Sequence, residues 1–365
     1  MYIAIIILLL ISISVLLILN HPKFGKLPSG DRLKKIQSAT NYSNGTFQNQ
    51  SVTPDLTDGA NYFSVMREFF FNQNKRVSPK DIIPSEKTDL LNLDINKDVL
   101  VWFGHSSYFM QIDGKRILVD PVLCGHASPF SFTTKAFKGT NNYSVDDIPE
   151  IDILFISHDH WDHLDYITVK KLQPKINQVI CGLGTGEHLE YWGYDPKQII
   201  EKNWNEEIIL GNGFKVNTVP TRHFSGRGLK RNRALWTSFV LQTPSMKIFI
   251  GGDSGYDTHF AEIGKTFGEF DLVILENGQY DKSWKHIHLM PDELLKATKD
   301  LNAKQLLAVH NSKFAIALHA WDDPMINIAA KCKSENIRLL TPKIGEQVNL
   351  KDREQVFSEW WENLN

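Results

Sequence analysis

Cysteine is scarce in this chain: three in 365 residues, at Cys124, Cys181 and Cys332, far apart in sequence. That excludes a disulfide scaffold and a cysteine-built zinc finger, and fits a domain kept in a reducing compartment. Net charge is nearly absent as well, with 40 Lys+Arg against 42 Asp+Glu. No basic excess is available to grip a phosphate backbone, so nucleic acid is not an expected partner. Hydrophobic residues make up 42% and charged ones 22%. A disordered chain is thereby excluded, and there is apolar material for one large core or two ordinary domains.

Basic residues are missing from the first twenty-two positions, where Tyr2–Leu19 is an uncharged run broken only by Ser12 and Ser14. As a helix this run is about 27 Å long, close to the thickness of a bilayer's hydrocarbon core. A cleaved signal peptide would carry a basic n-region, a shorter apolar stretch and a small-residue cleavage site. Residues 1–20 therefore read as one uncleaved transmembrane anchor. Lys23, Lys26, Arg32, Lys34 and Lys35 follow it, and the positive-inside rule places the remainder in the cytoplasm.

Residues 21–95 read as a linker or an arm packed on the domain surface, with a short helix near Asn61–Asn72. Tyr62, Phe63, Met66, Phe69 and Phe70 recur there at helical spacing; such a helix docks on the core, or faces lipid as the sharper alternative. Over residues 96–350 short apolar runs alternate with turn residues, many arriving in hairpin pairs. Expected strands include Tyr108–Ile112, Arg116–Val119, Ile153–Ile156, Lys215–Val219, Lys247–Ile250, Leu272–Leu275 and Gln305–Val309. Two mixed sheets with helices outside fit this pattern better than a simple alternating wound sheet. Residues 351–365 are expected to form a C-terminal helix over Glu354–Asn363, docked through Trp360 and Trp361.

The segment that carries chemistry is Ser157-His158-Asp159-His160-Trp161-Asp162-His163-Leu164-Asp165, directly after an apolar strand. The pattern His-x-His-x-Asp-His arises by chance in about one such sequence per thousand. Imidazole with carboxylate is a ligand set for zinc, and is also accepted by iron or manganese. Further donors stand in the same architectural position, just past strand ends: His223, Asp253 and His310.

Taken in order, these residues resemble the ligand set of the metallo-β-lactamase fold, a four-layer αββα sandwich of two mixed β-sheets. Trp102-Phe103-Gly104-His105-Ser106, Val119-Asp120-Pro121-Val122, Gly252-Asp253-Ser254-Gly255-Tyr256 and His288-x-x-Pro291-Asp292-Glu293 are similar to the N-acylphosphatidylethanolamine-hydrolysing phospholipase D branch. Phe24-Gly25, Pro28-Ser29-Gly30 and Lys313-Phe314-Ala315 resemble bacterial relatives of that branch. The phospholipase carries His-Trp-Gly after its last ligand where this chain has His310-Asn311-Ser312, a departure that bears on lipid specificity.

The resemblance implies two Zn2+ per chain, with iron or manganese also acceptable. His158, His160 and His223 would hold one ion and Asp162, His163 and His310 the other, with Asp253 bridging. The implied substrate is a phosphodiester, a glycerophospholipid or a smaller one, attacked by a metal-bridging hydroxide. His288 stands where the family has an extra active-site histidine, able to protonate the leaving alcohol; with Asp162 it makes the catalytic pair. His105 and Asp120 are candidates to orient a ligand imidazole, and His319 to line the pocket. Relatives of the phospholipase type suggest a homodimer. Two other functions fit the same residues: a lactonase, amidase or other small-ester hydrolase, and a non-catalytic, metal-stabilised scaffold tethered to the membrane.

Overall fold

The computed structural model describes residues 2–71 and 74–365. In chain order the helices are α1 (Tyr2–Leu19), α2 (Gly30–Gln37), α3 (Tyr62–Phe71), α4 (Tyr166–Leu172), α5 (Gly186–Tyr191), α6 (His259–Phe267), α7 (Pro291–Asp300) and α8 (Asp323–Ser334). A two-residue hairpin, β1 (Tyr42–Ser43) and β2 (Thr46–Phe47), precedes α3. The remaining strands are β3 (Val99–Trp102), β4 (Tyr108–Ile112), β5 (Lys115–Val119), β6 (Ile151–Ile156), β7 (Ile176–Gly182), β8 (Ile199–Lys202), β9 (Glu207–Gly211), β10 (Phe214–Val219), β11 (Ser238–Gln242), β12 (Lys247–Ile250), β13 (Leu272–Glu276), β14 (Gln305–Val309), β15 (Arg338–Leu340) and β16 (Gln347–Asn349).

Those strands make two seven-stranded sheets, ordered β16-β3-β4-β5-β6-β7-β8 and β15-β14-β13-β12-β11-β10-β9. Each sheet is antiparallel over its first hairpins and parallel where helical crossovers intervene, as in β5-β6-β7-β8 and β12-β13-β14-β15. Strands covered on both faces read as unbroken apolar runs rather than alternating ones; every residue of β3, β4, β13 and β14 is buried. Between the sheets, Trp102, Met110, Ile117 and Phe155 pack against Val216, Phe239, Ile248 and Ile274, with the Phe155 and Phe239 rings 4.8 Å apart. Outside one sheet, Phe109, Leu118 and Leu154 meet Val169 and Leu172 of α4. Outside the other, Phe249, Val273 and Leu306 meet Phe260, Leu294 and Ile328 of α6, α7 and α8. The layers run helix, sheet, sheet, helix, and the parallel strands aim their C-terminal ends at one edge of the sandwich.

Three expectations need correction. First, residues 351–365 are not a helix but turns and irregular chain. Their backbone is taken elsewhere: Gln355 O accepts from Arg338, Asn365 is tied to Asp81, and Trp360 and Trp361 are both buried between the sheets. Adjacent side chains on a helix diverge by about 100°, so burying both indoles in one core competes with helical geometry.

Second, of the two readings of residues 21–95, the packed arm holds and the linker does not. Arg32 of α2 pairs with Glu187, Glu190 and Glu201, and the helix near residue 61 runs Tyr62–Phe71 (Asn72 lies outside the described residues). Third, α1 forms, with its isoleucines and leucines exposed from Ile3 to Ile18. Yet among the described residues no helix is long and apolar enough to cross a membrane. The transmembrane expectation is therefore not met.

Candidate metal centre

Five strand ends converge on one spot. β6 sits between parallel neighbours β5 and β7 and delivers Ser157 and the histidine turn, which closes when Leu164 N donates to His160 O at 2.8 Å. Asp165 then caps α4, accepting from Ile167 N and Thr168 N, which gives the turn a fixed exit. His223 follows β10, Asp253 follows β12, Glu276 ends β13 and His310 follows β14.

Two groups of donors result. In the first, His158 Nε2 and His223 Nε2 approach His160 Nδ1 to 2.9 and 3.2 Å. In the second, Asp162 Oδ2 lies 3.3 Å from His310 Nε2 and 3.6 Å from His163 Nε2. Asp253 stands between them. Its Oδ2 is 3.8 Å from His158, 3.6 Å from His223 and 3.2 Å from His310, while Oδ1 is 3.2 Å from His163. All seven expected ligands are thus brought together; His158, His163, His223, Asp253 and His310 are buried, and His160 and Asp162 half-buried.

The residues fit a pair of cations on three counts. Ligand atoms held 2.0–2.1 Å from a tetrahedral ion stand about 3.3–3.4 Å apart, near the spacings found. His163 Nε2 and Asp253 Oδ1 are buried, face each other and have no hydrogen-bond partner. The electrostatics are unbalanced in the same sense. Burial and neighbouring imidazoles hold His158 and His223 well below the usual histidine value, and burial brings His160 to about 4. These rings offer lone pairs to one another. Burial likewise opposes charge on His163 and His310, but Asp253 and Asp162 override it, raising His163 well above normal and His310 to about 10. The carboxylates thus favour positive charge at this spot, whether as protons on His163 and His310 or as cations that would displace them.

Asp120 does more than end a strand. Its Oδ2 lies 2.8 Å from His163 Nδ1 and accepts from Ser157 Oγ at 2.5 Å, and its Oδ1 accepts from Ser157 N at 2.8 Å. It therefore turns the other nitrogen of His163 toward the cluster. His105 Nε2 lies 2.9 Å from Asp162 Oδ2, close enough to orient that carboxylate or join its group. Asp120, His105 and His310 all have left-handed backbones (φ 41°, 53° and 66°), a conformation costing about 1–2 kcal/mol for a residue with a Cβ. The two histidine loops hold each other in it: His310 N donates to His105 O and His105 N to Asn311 O, both at 3.0 Å. His319 is displaced from its expected place lining the cavity. Its Nε2 accepts from Gln279 N at 2.8 Å, so it supports a residue that does line it.

His288 reaches the cluster, its ring 5.1 Å from that of His223 and 5.2 Å from that of His310. The cavity beside it has a volume of about 440 Å3. Its walls are Leu56, Tyr62 and Val65 from the arm, with Phe224, Trp284, Ile287 and Ile316; His160, Asp162, His223, Asp253 and His310 form its floor. Two residues of the site are not marked out by the sequence motifs. Glu276, fully enclosed, accepts from Ser254 N and Leu289 N at 2.9 Å and lies 2.5 Å from His288 Nδ1. The signal was there: a lone acid ending the apolar run Leu272–Leu275, in the position of the other donors. Asn49 of the arm brackets His223, accepting from its N–H and donating to its carbonyl; nothing in the local sequence marks it.

A family model described as a beta-lactamase superfamily domain matches residues 115–311. An uncharacterized protein of Mycobacterium tuberculosis is 32% identical over 336 residues, 89% of this chain and 88% of its own length. An N-acyl-phosphatidylethanolamine-hydrolyzing phospholipase D of Caenorhabditis elegans is 30% identical over 221 residues, 57% of this chain and 62% of that protein. Among solved structures, a metallo hydrolase from the archaeon Ignicoccus hospitalis superposes with a TM-score of 0.51 at 19% identity, over 69% of this chain and 98% of the other. The chain belongs to the metallo-β-lactamase superfamily, and it has that hydrolase fold with His/Asp clusters able to bind metal.

Proposed function

We propose that this superfamily member is a dinuclear zinc phosphodiesterase of the phospholipase D type, acting on N-acylphosphatidylethanolamine or a related glycerophospholipid. The observation that carries the reading is the cavity: apolar walls built partly from the arm lead down to seven clustered donors and His288. A diacyl substrate needs such walls, whereas a small soluble ester does not. The identity with the nematode phospholipase supports the same substrate class.

Two divalent cations, when bound, supply a nucleophile from water at neutral pH and offset charge on the phosphodiester. The chain's own groups do the rest. His158, His160 and His223 would hold one ion, and Asp162, His163 and His310 the other, with Asp253 between the two groups. Asp120 keeps the proton of His163 on Nδ1, away from the ions. Glu276 accepts from His288 Nδ1, leaving Nε2 to exchange a proton with the leaving alcohol oxygen. Leu56, Val65 and Trp284 exclude water around the acyl chains.

The apolar surface exposed all round α1, followed by Lys23, Lys26 and Arg32, supports a lipid surface as a partner of that helix. The deciding experiment measures metal content and turnover of N-acylphosphatidylethanolamine vesicles, a soluble phosphodiester and a lactone side by side. Lipid and soluble phosphodiester turnover in the metal-loaded protein supports the proposal. Turnover of the lactone alone overturns it.

A further inference from the structure

The turn directly after α1 is wired into both loops that carry His158, His160 and His223, although none of its side chains reaches the cluster. Lys26 N–H donates to His188 Nδ1 at 3.0 Å. That makes Nδ1 an acceptor and puts the ring proton on Nε2, which lies 3.3 Å from Asp159 Oδ2. Asp159 sits between His158 and His160, and its Oδ1 accepts from Gly226 N at 2.6 Å, three residues past His223. On the other side, Lys23 O accepts from Arg227 Nε and Nη2 at 3.2 and 2.9 Å. The same guanidinium donates through Nη1 to Asp159 O and Leu164 O, at 2.9 and 2.6 Å. Trp161 is held between them, with Arg227 4.0 Å over its ring and Phe24 meeting it edge-on at 5.1 Å.

Gly25 is what allows this approach. Its φ is +73°, and a Cβ there would stand 2.0 Å from His188 Nδ1. Asp159, His188 and Arg227 are all buried, so the connections are shielded from competing water.

We propose that Lys23–Lys26 is a positioning element for the metal centre: through His188 and Arg227 its backbone sets the His158–His160 turn against the loop that carries His223. This rests on the metal-centre reading above. It also places the end of the apolar helix four residues from the geometry of three ligands, so α1 and the centre share one scaffold.

The test is Co2+ and Zn2+ affinity of the full chain, by chelator competition, with melting of the metal-free protein measured alongside. His188→Ala and Gly25→Val weaken cation binding by about tenfold, the low end of the cost of losing a ligand's outer partner, because His188 acts one step further out, through Asp159. His188→Gln carries an acceptor and a donor on one side chain and recovers most of the loss. Melting of metal-free His188→Ala stays within a few degrees of the parent. Parental affinity in His188→Ala overturns the inference, as does a loss that His188→Gln leaves unrestored. Should Gly25→Val fail to fold, the two His188 variants decide alone. A parent chain that binds no cation sinks the metal-centre reading itself, a different outcome from parental binding in the variant.

Discussion

Glu276 Oε2 lies 2.5 Å from His288 Nδ1 and 3.3 Å from His310 Nδ1, so one buried carboxylate stands behind both the proposed proton donor and a proposed ligand. The two partners separate the consequences of mutation. Replacing His288 by Ala lowers turnover about 10²–10⁴-fold, the usual span for a lost acid or base, with bound metal unchanged. Glu276→Gln lowers turnover and also loosens metal, because His310 loses its support. Metal analysis beside kinetics reads both. Lost metal in His288→Ala would make His288 a ligand, as its grouping with Asp253, Glu276 and His310 allows.

Asp120→Asn removes the carboxylate that fixes His163 and Ser157. Zinc affinity is expected to fall about 10–100-fold. The loss should fall mainly on the ion of His163, since Asp120 touches that ring directly and reaches the group of His158, His160 and His223 only through Ser157 Oγ, 3.0 Å from His158 Nδ1. Titration with a chromophoric chelator resolves the two binding steps; an equal loss at both sites counts against the assignment.

Metal removal should cost stability. Two ions bound only by the folded chain stabilise it by mass action, about 2.7 kcal/mol for a site held at a hundred times its Kd. Chelation should therefore lower the melting temperature by several degrees, with recovery on adding Zn2+ but not Mg2+, whose preference is for oxygen ligands. An unchanged melting curve argues that the cluster holds no metal in the folded protein.

Lys313 supplies a pH signature. It is buried, its Nζ donates to Phe103 O and Val122 O at 3.0 Å, and burial lowers its pKa to about 8. The unfolded amine titrates near 10.4. Between those values the unfolded chain binds the extra proton, so this residue's contribution to stability rises with pH; below pH 8 both states are charged and the slope vanishes. Lys313→Met should remove an alkaline gain of up to about 3 kcal/mol. Denaturant melts of both proteins at pH 7.5 and 10 give the comparison, and parallel slopes would refute it.

The strands were legible because they are buried on both faces. Tyr108–Ile112, Lys247–Ile250 and Gln305–Val309 form over the expected residues, as an unbroken apolar run with turn residues at its ends predicts. The edge strands β8, β9 and β16 were not legible. β8 is half-exposed throughout and β9 alternates, so pairing with a neighbour holds them rather than their own composition. The same limit explains the absent C-terminal helix: its local propensity lost to two tryptophans that needed the same core.

Chemistry divides along a similar line. Side-chain type and position past a strand end single out His158, His160, Asp162, His163, His223, Asp253 and His310, because ligand chemistry is a property of the residue itself. Asp120 was already a candidate to orient a ligand imidazole, but that the imidazole is His163, like Glu276 as the partner of His288, Asn49 around His223 and the grip of Lys23–Lys26 on Asp159, is a fact of distance. Their partners lie from 12 to 204 residues away in the chain. Only the closed sandwich, by burying these groups beside one another out of water, makes such separations count as contacts.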